Sequence, residues 1–272
     1  MPIFVFMKNI VIIGASRGIG RSLAHQLSRT NRVLALSRNL ARLEELKDLT
    51  LAENLKVAAA DLSAPNLKEY LTTVFNQELG KIDILINNAG ISMRALFEEI
   101  EMDVFKKVMD INFYGTLYAT KYCLPEILKT KGSIVGVSSI NGYRGTPART
   151  AYTASKYAMN GFMESLRTEV MHRGVHVLVA CPGFTGTNIR NAALTADGAS
   201  QGESPRDEGK MMSPEEVAQG IIKAIQKRKR DIVFTSQGKL AVFLNKWMPG
   251  RMDKIVFNVF AKEPDSPFSA KK

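Results

Sequence analysis

A tyrosine and a lysine four residues apart could carry acid–base chemistry in this chain. Tyr152 and Lys156 lie in the segment AYTASK, residues 151–156, and residues four apart lie on the same face of a helix. A free phenol has a pKa of about 10 and is a poor acid–base catalyst near neutrality. A neighbouring ammonium favours the phenolate and lowers that pKa toward the working range. The pair therefore predicts a tyrosine acid–base catalyst, although this spacing by itself also occurs often by chance.

A glycine-rich turn near the N-terminus could hold a phosphate group. Residues 10–13 are apolar and predict a buried strand, and residues 21–29 have helical periodicity. Between them lie Gly14, Gly18 and Gly20. Glycines let the backbone approach a pyrophosphate, and the helix N-terminus adds amide N–H groups and a positive dipole end. The spacing is G-x-x-x-G-x-G, not the G-x-G-x-x-G of many dinucleotide sites, and a tight turn without ligand is the alternative.

Strands and helices that alternate along the chain must position these groups. The predicted strands lie near residues 9–13, 32–37, 55–60, 82–86, 132–138, 174–181 and 231–234. The predicted helices lie near residues 18–30, 39–53, 64–79, 99–129, 150–172 and 214–228. This alternation predicts an α/β fold with a doubly wound, Rossmann-type parallel sheet of about seven strands. Ligands of such sheets bind at the carboxyl ends of the strands.

Five motifs in this order resemble the classical branch of the short-chain dehydrogenase/reductase family. They are the glycine turn, Asn87-Asn88-Ala89-Gly90, Ser138-Ser139, the Tyr152/Lys156 pair and Pro182-Gly183. The resemblance spans about residues 8 to 235 and implies a nicotinamide-dependent oxidoreductase. We expect a catalytic domain over residues 1–235, with a substrate lid at about 185–212, followed by a C-terminal extension over residues 236–272.

The resemblance also implies roles for four polar residues. Tyr152 would donate the proton, and Ser139 would orient the same substrate oxygen, with Ser138 as the neighbouring candidate. Lys156 would hold the nicotinamide ribose and lower the pKa of the tyrosine. Asn112 matches the family asparagine that holds a water molecule in the proton relay.

The end of the second predicted strand bears on the choice between NAD and NADP. A carboxylate there would bind the ribose 2′-hydroxyl and repel a 2′-phosphate. The chain instead has Ser37 and Arg38, and Arg17 lies inside the glycine turn, so we predict NADP(H). The resemblance assigns the other cofactor contacts to Gly14, Ser16, Gly18, Ile19, Gly20, Asp61, Leu62, Asn88, Ala89, Gly90, Tyr152, Lys156, Pro182, Gly183, Thr185 and Thr187.

The substrate pocket is predicted to be apolar. Its walls are expected to include Ser139, Met93, Tyr143 and Phe184, with Ile140 and Ile189 as further candidates. Such walls suit an apolar or aromatic carbonyl compound. Nearby arginines could contact an anionic substrate, but we expect surface charges at Arg94, Arg144 and Arg190.

The C-terminal extension predicts two amphipathic helices over residues 236–262. Apolar residues recur at i, i+3, i+4 spacing on both sides of a break at Pro249-Gly250, with lysines and arginines among the polar positions. Two interpretations remain open. The pair packs on its own domain or on a subunit partner, or it lies on a membrane surface as a basic, aromatic-bearing helix pair.

Composition limits the partners. The formal net charge is +11, which fits an anionic cofactor, a nucleic acid, an anionic membrane or a lysine-rich surface. The basic residues are mostly dispersed and form no nucleic-acid module, so we expect no nucleic-acid partner. A small-molecule carbonyl substrate is expected, and the resemblance implies a homo-oligomer, either a dimer or a tetramer.

The cysteines and the N-terminus bear on the compartment. Cys123 and Cys181 lie far apart and form no metal motif, so we predict buried thiols in a reducing compartment and no metal. The apolar start, residues 1–7, has no basic leader and runs into the first strand, which disfavours a signal peptide. We expect a cytoplasmic protein without a transmembrane helix, with peripheral membrane contact left open.

Four hypotheses for the function follow. The first is an NADPH-dependent oxidoreductase acting on an apolar or lipid-like ketone or aldehyde. The second is a non-catalytic NADP(H)-binding sensor or scaffold, which the intact Tyr152/Lys156 pair disfavours. The third is a membrane-associated interaction protein whose extension carries the function. The fourth is a nucleotide-sugar epimerase, which the short chain and the glycine spacing disfavour.

Overall fold

The structure is a computed structural model of the chain. It describes residues 7–268 except 51, 63, 65, 203–208, 210, 264 and 265. Residues 1–6 of the predicted apolar start, part of the predicted lid and the last residues of the predicted extension lie outside the described residues.

A seven-stranded sheet forms the centre of the fold, in the order β3-β2-β1-β4-β5-β6-β7, with every neighbouring pair parallel. The strands are β1 (Asn9–Ile13), β2 (Arg32–Ser37), β3 (Leu55–Ala59), β4 (Ile84–Asn87), β5 (Ser133–Val137), β6 (His176–Cys181) and β7 (Asp231–Val233). The predicted doubly wound parallel sheet is therefore confirmed, and the predicted strand bounds differ from these by at most two residues.

Helices cover both faces of the sheet. They are α1 (Gly18–Leu27), α2 (Leu40–Asp48), α3 (Leu67–Glu78), α4 (Met102–Met109), α5 (Gly115–Thr130), α6 (Thr150–Val170), α7 (Pro214–Gln226), α8 (Ser236–Trp247) and α9 (Pro249–Ala261). Within the described chain, no helix has the length and apolarity needed to cross a membrane.

Two hydrophobic layers hold the helices to the sheet, because successive strand residues point to opposite faces. Val11 and Ile13 of β1 pack in one layer, and Ile10 and Ile12 pack in the other. All four side chains are at most 3% exposed. Burial on both faces explains why the strands read as continuous apolar runs rather than alternating ones.

Two predicted helices differ from the structure by more than three residues. The helix predicted over residues 39–53 ends at Asp48, where the Thr50 hydroxyl donates to the carbonyls of Leu46 and Lys47 and occupies the last turn. The helix predicted over residues 99–129 is two helices, α4 and α5, joined by a π-helical turn over Asp110–Tyr114. Such turns insert one extra residue and are frequent at functional sites.

The register of the sheet brings the predicted motifs to one edge. Ile13 pairs with Leu36 on one side and with Asn87 on the other, and Asn87 pairs in turn with Gly136. The segments that follow β1, β2, β4 and β5 therefore leave the sheet at the same end. These segments carry the glycine turn, the Ser37/Arg38 pair, the asparagine–glycine motif and the serine pair.

Candidate active site

The glycine turn forms a tight cradle between β1 and α1. Gly14 has a φ of +86°, and a Cβ there would lie 2.5 Å from the Cα of Ala89. A Cβ on Gly20 would lie 2.1 Å from the carbonyl oxygen of Gly14, and the same oxygen accepts a 2.7 Å hydrogen bond from Asn88 Nδ2. Only glycine fits both positions, so the cradle depends on close approach between the glycine turn and the loop after β4.

A cavity of about 810 Å³ opens above this cradle. Thirteen of the predicted cofactor-binding residues line it: Gly14, Ser16, Arg17, Gly18, Ile19, Ser37, Arg38, Asp61, Leu62, Asn88, Ala89, Gly90 and Thr187. Gly20 lies beneath the cradle and supports it. We call this space the cofactor-side cavity.

The far end of the cofactor-side cavity is basic. Arg17 and Arg38 both line it and both are exposed. The backbone N–H of Asn39 donates to the Ser37 hydroxyl at 3.1 Å, while the Asn39 side chain accepts from the N–H of Arg42 and caps α2. Asn39 and Leu40 line the cavity as well, and sequence reasoning missed them. An asparagine just before an apolar-periodic run is a cap signal that could have identified them.

A second cavity, of about 140 Å³, holds the predicted catalytic tyrosine and lysine. We call it the substrate-side cavity. Ser139, Tyr152 and Lys156 line it, and five residues line both cavities: Ile19, Asn88, Gly90, Thr187 and Ile189. The two cavities are therefore neighbours with a common wall, and a ligand of the first can reach groups in the second.

Lys156 lies deep in the wall of the substrate-side cavity and is 3% exposed. Its Nζ donates to the carbonyl oxygen of Val137 at 2.9 Å and lies 5.7 Å from the centre of the Tyr152 ring. Burial disfavours the ammonium and lowers the pKa of Lys156 to about 8. The side chain is therefore still protonated at neutral pH, but it titrates close to the physiological range.

The pKa of Tyr152 differs from the sequence-based expectation. Burial raises the pKa of Tyr152, and it outweighs a hydrogen bond from Ser139 and the positive charge of Arg149, which both lower it. The predicted lowering by Lys156 is wrong for this structure, because burial is the larger influence on the phenol and the Lys156 ammonium donates its hydrogen bond to the Val137 carbonyl. A raised pKa keeps the phenol protonated at neutral pH, which suits a proton donor.

The two serines after β5 have different surroundings. Ser138 is 5% exposed, and its hydroxyl donates to the Lys156 carbonyl at 3.5 Å. Ser139 hydrogen-bonds the Tyr152 side chain and accepts from the Asn141 N–H at 3.2 Å. The geometry therefore favours Ser139 as the group that would share a substrate oxygen with the tyrosine.

Asn112 lies in the π-helical turn and is fully buried. Its amide donates to the Ile91 carbonyl and to the Ser155 hydroxyl, both at 2.9 Å, and its Oδ1 accepts from the Ile91 N–H at 2.8 Å. The side chain thus clamps the loop after β4 against α6, which carries Tyr152 and Lys156. Its predicted role in a proton relay stays a prediction.

The loop after β6 borders the substrate-side cavity. Pro182, Gly183, Thr185 and Thr187 line it, and Thr187 also reaches the cofactor-side cavity. The described part of the predicted lid continues over both cavities through Asn188, Ile189 and Ala192. Leu194 fixes this segment to the loop after β4 by hydrogen bonds with Arg94 and Ser92, at 2.8 and 2.9 Å. Closure of the lid stays a prediction.

Only part of the predicted substrate wall reaches the cavity. Phe184 lines it and is 47% exposed. Met93 instead is fully buried in a cluster that includes Ala151, and Tyr143 packs against the core below the sheet. Neither side chain is part of the cavity wall, so these two assignments are wrong for this structure. The residues of this cavity wall that sequence reasoning missed are Ser92, Val137, Asn141, Thr146, Arg149, Phe260 and Glu263.

The three arginines predicted as surface charges are mostly buried. Arg190 is 7% exposed, lines the substrate-side cavity and donates to the Thr185 carbonyl at 2.8 Å. The Arg94 side chain, 11% exposed, pairs with Glu263 at 3.8 Å. Arg144 binds Asn245 and Asp253 of the C-terminal helices at 3.1 and 2.7 Å. The simple surface-charge interpretation is therefore wrong for all three.

The C-terminal helices pack on the rest of the chain through their inner sides. Gly238 of α8 is buried, and a Cβ there would lie 2.4 Å from Ile140 Cδ1. Met252 of α9 is 5% exposed. Phe260, at the end of α9, and Glu263 line the substrate-side cavity. The break falls at Met248, so that Pro249 begins α9 instead of interrupting it, since proline is tolerated at the first helical position.

Comparison with known proteins assigns the family. The family model described as short chain dehydrogenase matches residues 8–197. The chain is 38% identical over 255 residues to a Drosophila melanogaster protein, dehydrogenase/reductase SDR family protein 7-like, covering 89% of this chain and 77% of the relative. It is 35% identical over 275 residues to dehydrogenase/reductase SDR family member 7B from Mus musculus, covering 97% and 85%.

Solved structures agree on the fold. A short-chain dehydrogenase from Streptomyces avermitilis superposes with a TM-score of 0.80 at 22% identity, covering 94% of this chain and 98% of that one. An alcohol dehydrogenase from Thermococcus sibiricus, complexed with 5-hydroxy-NADP, superposes with a TM-score of 0.73 at 22% identity, covering 84% and 96%.

The chain belongs to the short-chain dehydrogenase family, whose members are oxidoreductases that use a nicotinamide cofactor and small-molecule substrates. The membership of this family that the five motifs predict is thereby confirmed.

Proposed function

We propose that this protein is an NADPH-dependent reductase of an apolar ketone or aldehyde. The observation that carries the proposal is the common wall of the two cavities. One cavity has the glycine cradle expected for a dinucleotide, and the other holds Ser139, Tyr152 and Lys156 together. A hydride donor bound in the cofactor-side cavity would therefore face the Tyr152 acid in the substrate-side cavity.

The cofactor-side cavity fits a dinucleotide. The cradle at Gly14 and Gly20 lets a ligand approach the backbone, because it has no room for side chains. Helix α1 begins at Gly18, and the positive end of the helix dipole there suits a pyrophosphate. Arg17, Ser37 and Arg38 line the other end, and residues 38–43, which follow β2 directly, include no carboxylate. Two guanidinium groups there favour a 2′-phosphate over a 2′-hydroxyl. The Thermococcus neighbour, crystallised with an NADP derivative, agrees with this choice.

The residues of the chain would handle the proton and the developing charge, since the bound cofactor supplies the hydride. Tyr152, protonated because burial raises its pKa, would donate to the carbonyl oxygen. The Ser139 hydroxyl would hydrogen-bond the same oxygen and stabilise the charge that grows on it. Lys156 would hold the ribose with its ammonium, and Asn112 would keep α6 and the loop after β4 in register.

The substrate class follows from the walls of the substrate-side cavity. Phe184, Ile189 and Phe260 contribute apolar surface around the catalytic groups. Most of the other lining residues are polar or charged, Arg149 and Arg190 among them, so the apolar part of a ligand would lie against these three hydrophobic side chains and its polar part against the remaining wall. This supports an apolar or lipid-like ketone or aldehyde.

A homo-oligomer is the second part of the proposal. Tyr114 and Tyr118 of the α5 region are 43% and 40% exposed, and their rings stack at 6.3 Å. Tyr118 stacks in turn on Tyr122 at 6.4 Å. An aromatic row that is partly exposed, as this one is at Tyr114 and Tyr118, is typical of an interface. Sedimentation velocity of the protein and of Tyr118→Asp would test it, with a loss of the dimer or tetramer expected in the variant and an unchanged sedimentation coefficient against it.

NADPH oxidation across a panel of ketones, aldehydes and acyl-lipid carbonyls tests the reductase proposal. We expect turnover on apolar members of the panel, with NADH a poorer donor. Tight NADPH binding without turnover on any compound would contradict the proposal and favour a non-catalytic NADP(H)-binding protein.

A further inference from the structure

The outer surface of the C-terminal helix pair carries exposed apolar side chains. Leu240, Phe243 and Trp247 of α8 are 56%, 60% and 66% exposed, and their i, i+3, i+7 spacing places them on one face. On α9, Ile255 and Val259 are 49% and 48% exposed, one turn apart. Exposed apolar groups that cluster in this way mark an interaction surface. We call this set the outer face.

The outer face is separate from the packing that holds the helices in place. The buried residues of the pair are Gly238 and Met252, and Phe260 lines the substrate-side cavity. The pair is therefore fixed on the domain through one side and presents a second apolar side to solvent. Packing within the chain does not account for Phe243 and Trp247, which are large and mostly uncovered.

The charges around the outer face are almost all positive. Residues 236–262 contain five exposed cations and one acid: Lys239, Lys246, Arg251, Lys254 and Lys262, against Asp253. The single carboxylate is within 2.7 Å of Arg144 and is therefore compensated by the domain. Lys246 lies over the Trp247 ring, with Nζ 5.6 Å from the ring centre. Cations thus flank the apolar stripe of α8 at both ends.

This combination favours an anionic lipid surface over a second copy of the chain. In a two-fold contact the same patch meets itself, so that lysines would face lysines. Lysine is also depleted in protein–protein interfaces. A helix with tryptophan, phenylalanine and leucine beside lysines is the pattern of interfacial helices, and each lysine near an anionic bilayer strengthens binding.

We infer that the outer face of α8 and α9 binds the surface of a bilayer that contains anionic phospholipid. The apolar stripe of Leu240, Phe243 and Trp247 enters the interfacial region, and the flanking lysines contact the headgroups. Because Phe260 and Glu263 at the end of the same helix pair line the substrate-side cavity, docking holds that cavity at the bilayer. The enzyme then takes its carbonyl substrate from the lipid phase, a consequence that rests on the proposed function.

Vesicle binding tests the inference with the full chain and without any substrate. Trp247 is the sole tryptophan of the sequence, so its emission reports directly on the outer face. We expect a blue shift and co-sedimentation with phosphatidylcholine vesicles that contain about 30% phosphatidylglycerol, and much weaker binding to phosphatidylcholine alone or at high salt. No blue shift with anionic vesicles would overturn the inference.

A matched pair of variants separates local from overall charge. Lys239→Glu/Lys246→Glu reverses the charge beside the stripe, while Lys227→Glu/Lys229→Glu reverses two exposed lysines after α7. We expect the first to weaken partitioning at least about tenfold and the second less than about twofold. Equal losses of vesicle binding in the two double variants would mean unspecific attraction by net charge and would contradict a docking face.

Phe243→Ser should weaken vesicle binding without changing the charge of the protein. Partitioning of this variant at the wild-type level would also contradict the docking face.

Two further readouts keep the outcomes distinct. Turnover of a water-soluble carbonyl should be the same in wild type and in Lys239→Glu/Lys246→Glu, which shows that the variant is folded. If vesicles bind and no compound is turned over, the proposed function fails and the docking face stands. If lipid-free protein forms a dimer that Phe243→Ser dissociates, and vesicles are not bound, the outer face is a subunit interface and the inference is overturned.

Discussion

The cofactor-side and substrate-side cavities are built in different ways. The first is formed mostly by segments that follow β1, β2, β3 and β4 at one edge of the sheet. Gly14 approaches Ala89 there so closely that a Cβ on Gly14 would lie 2.5 Å from the Ala89 Cα. The second is formed by side chains from distant parts of the chain, including Ser139, Tyr152, Phe184 and Glu263. A site that depends on close approach of the backbone tolerates few residue types, whereas the shape of a site that is lined by side chains changes with each substitution. The cofactor is therefore the more constrained of the two ligands.

The largest effect that separates the two cavities is expected from Tyr152→Phe. Loss of the proton donor should lower kcat by about 10³-fold, while the dissociation constant for NADPH changes less than about threefold, since the phenol belongs to the substrate side. Steady-state kinetics with fluorescence titration of NADPH measures both.

Tyr157→Phe is the matched control for this variant. Tyr157 lies on the same helix, is 44% exposed and donates its hydroxyl hydrogen to the Tyr143 carbonyl. It should retain near wild-type kcat. Equal activity of wild type and Tyr152→Phe would refute the proposed acid.

Arg38→Asp should act on the other cavity. It removes a partner of the 2′-phosphate and adds a repulsive charge, so the ratio of kcat/KM for NADPH over NADH should fall about 100-fold, equivalent to about 2.8 kcal/mol. Arg32→Asp makes the same charge change at the opposite end of β2 and should leave the ratio within about twofold. An unchanged ratio in Arg38→Asp would contradict the NADP assignment.

The pH dependence of cofactor binding should report on Lys156, which borders both ligands. Its pKa is lowered to about 8 by burial, so the ammonium is present below that pH and is lost as the pH rises through it. NADPH should therefore bind about tenfold more weakly at pH 9.5 than at pH 7. Lys156→Met should bind more weakly at both pH values and show no such change. A wild-type affinity that is flat over this range would argue against contact between the ammonium and the ribose.

The smallest effect is expected where the C-terminal helices meet the substrate-side cavity. Glu263→Gln removes a charge that pairs with Arg94, both side chains being at most 11% exposed. We expect KM for the carbonyl to change about three- to tenfold, because the cavity wall relaxes, with NADPH affinity within about twofold.

Glu164→Gln is the control for this substitution, since Glu164 forms a surface ion pair with Arg230 and should change neither constant. If Glu263→Gln altered the affinity for NADPH as much as the KM for the carbonyl, the substitution would act on both cavities, and the proposed independence of the two cavities would be contradicted.

The same contrast explains what could be predicted from the sequence. Gly14, Asn88 and Arg38 were identified because each follows an apolar strand directly, and the parallel register brings such positions to one edge. Met93 and Tyr143 were misassigned because they lie near motifs in sequence, while Met93 is buried in one hydrophobic cluster and Tyr143, which is partly buried, packs against another. Phe260 and Glu263 were missed because their contact with the site depends on how the C-terminal helices fold back, which no local pattern encodes.

Burial also reversed one electrostatic prediction. The spacing of Tyr152 and Lys156 indicates a lowered tyrosine pKa, but that argument takes no account of desolvation. In the folded chain burial is the larger influence on both groups, raising the pKa of Tyr152 and lowering that of Lys156. The spacing in the sequence therefore identified the Tyr152/Lys156 pair, but it did not predict the direction in which the pKa of Tyr152 is shifted.

Transfer of deuterium from C4-deuterated NADPH tests the central claim most directly. The protein and Tyr152→Phe are incubated with the labelled cofactor and the apolar carbonyl panel, and the alcohols are analysed by mass spectrometry. We predict an alcohol that carries one deuterium at the former carbonyl carbon from the wild type, and about 10³-fold less of it from the variant. Labelled alcohol in equal amounts from both proteins, or none from the wild type despite bound NADPH, would contradict the account.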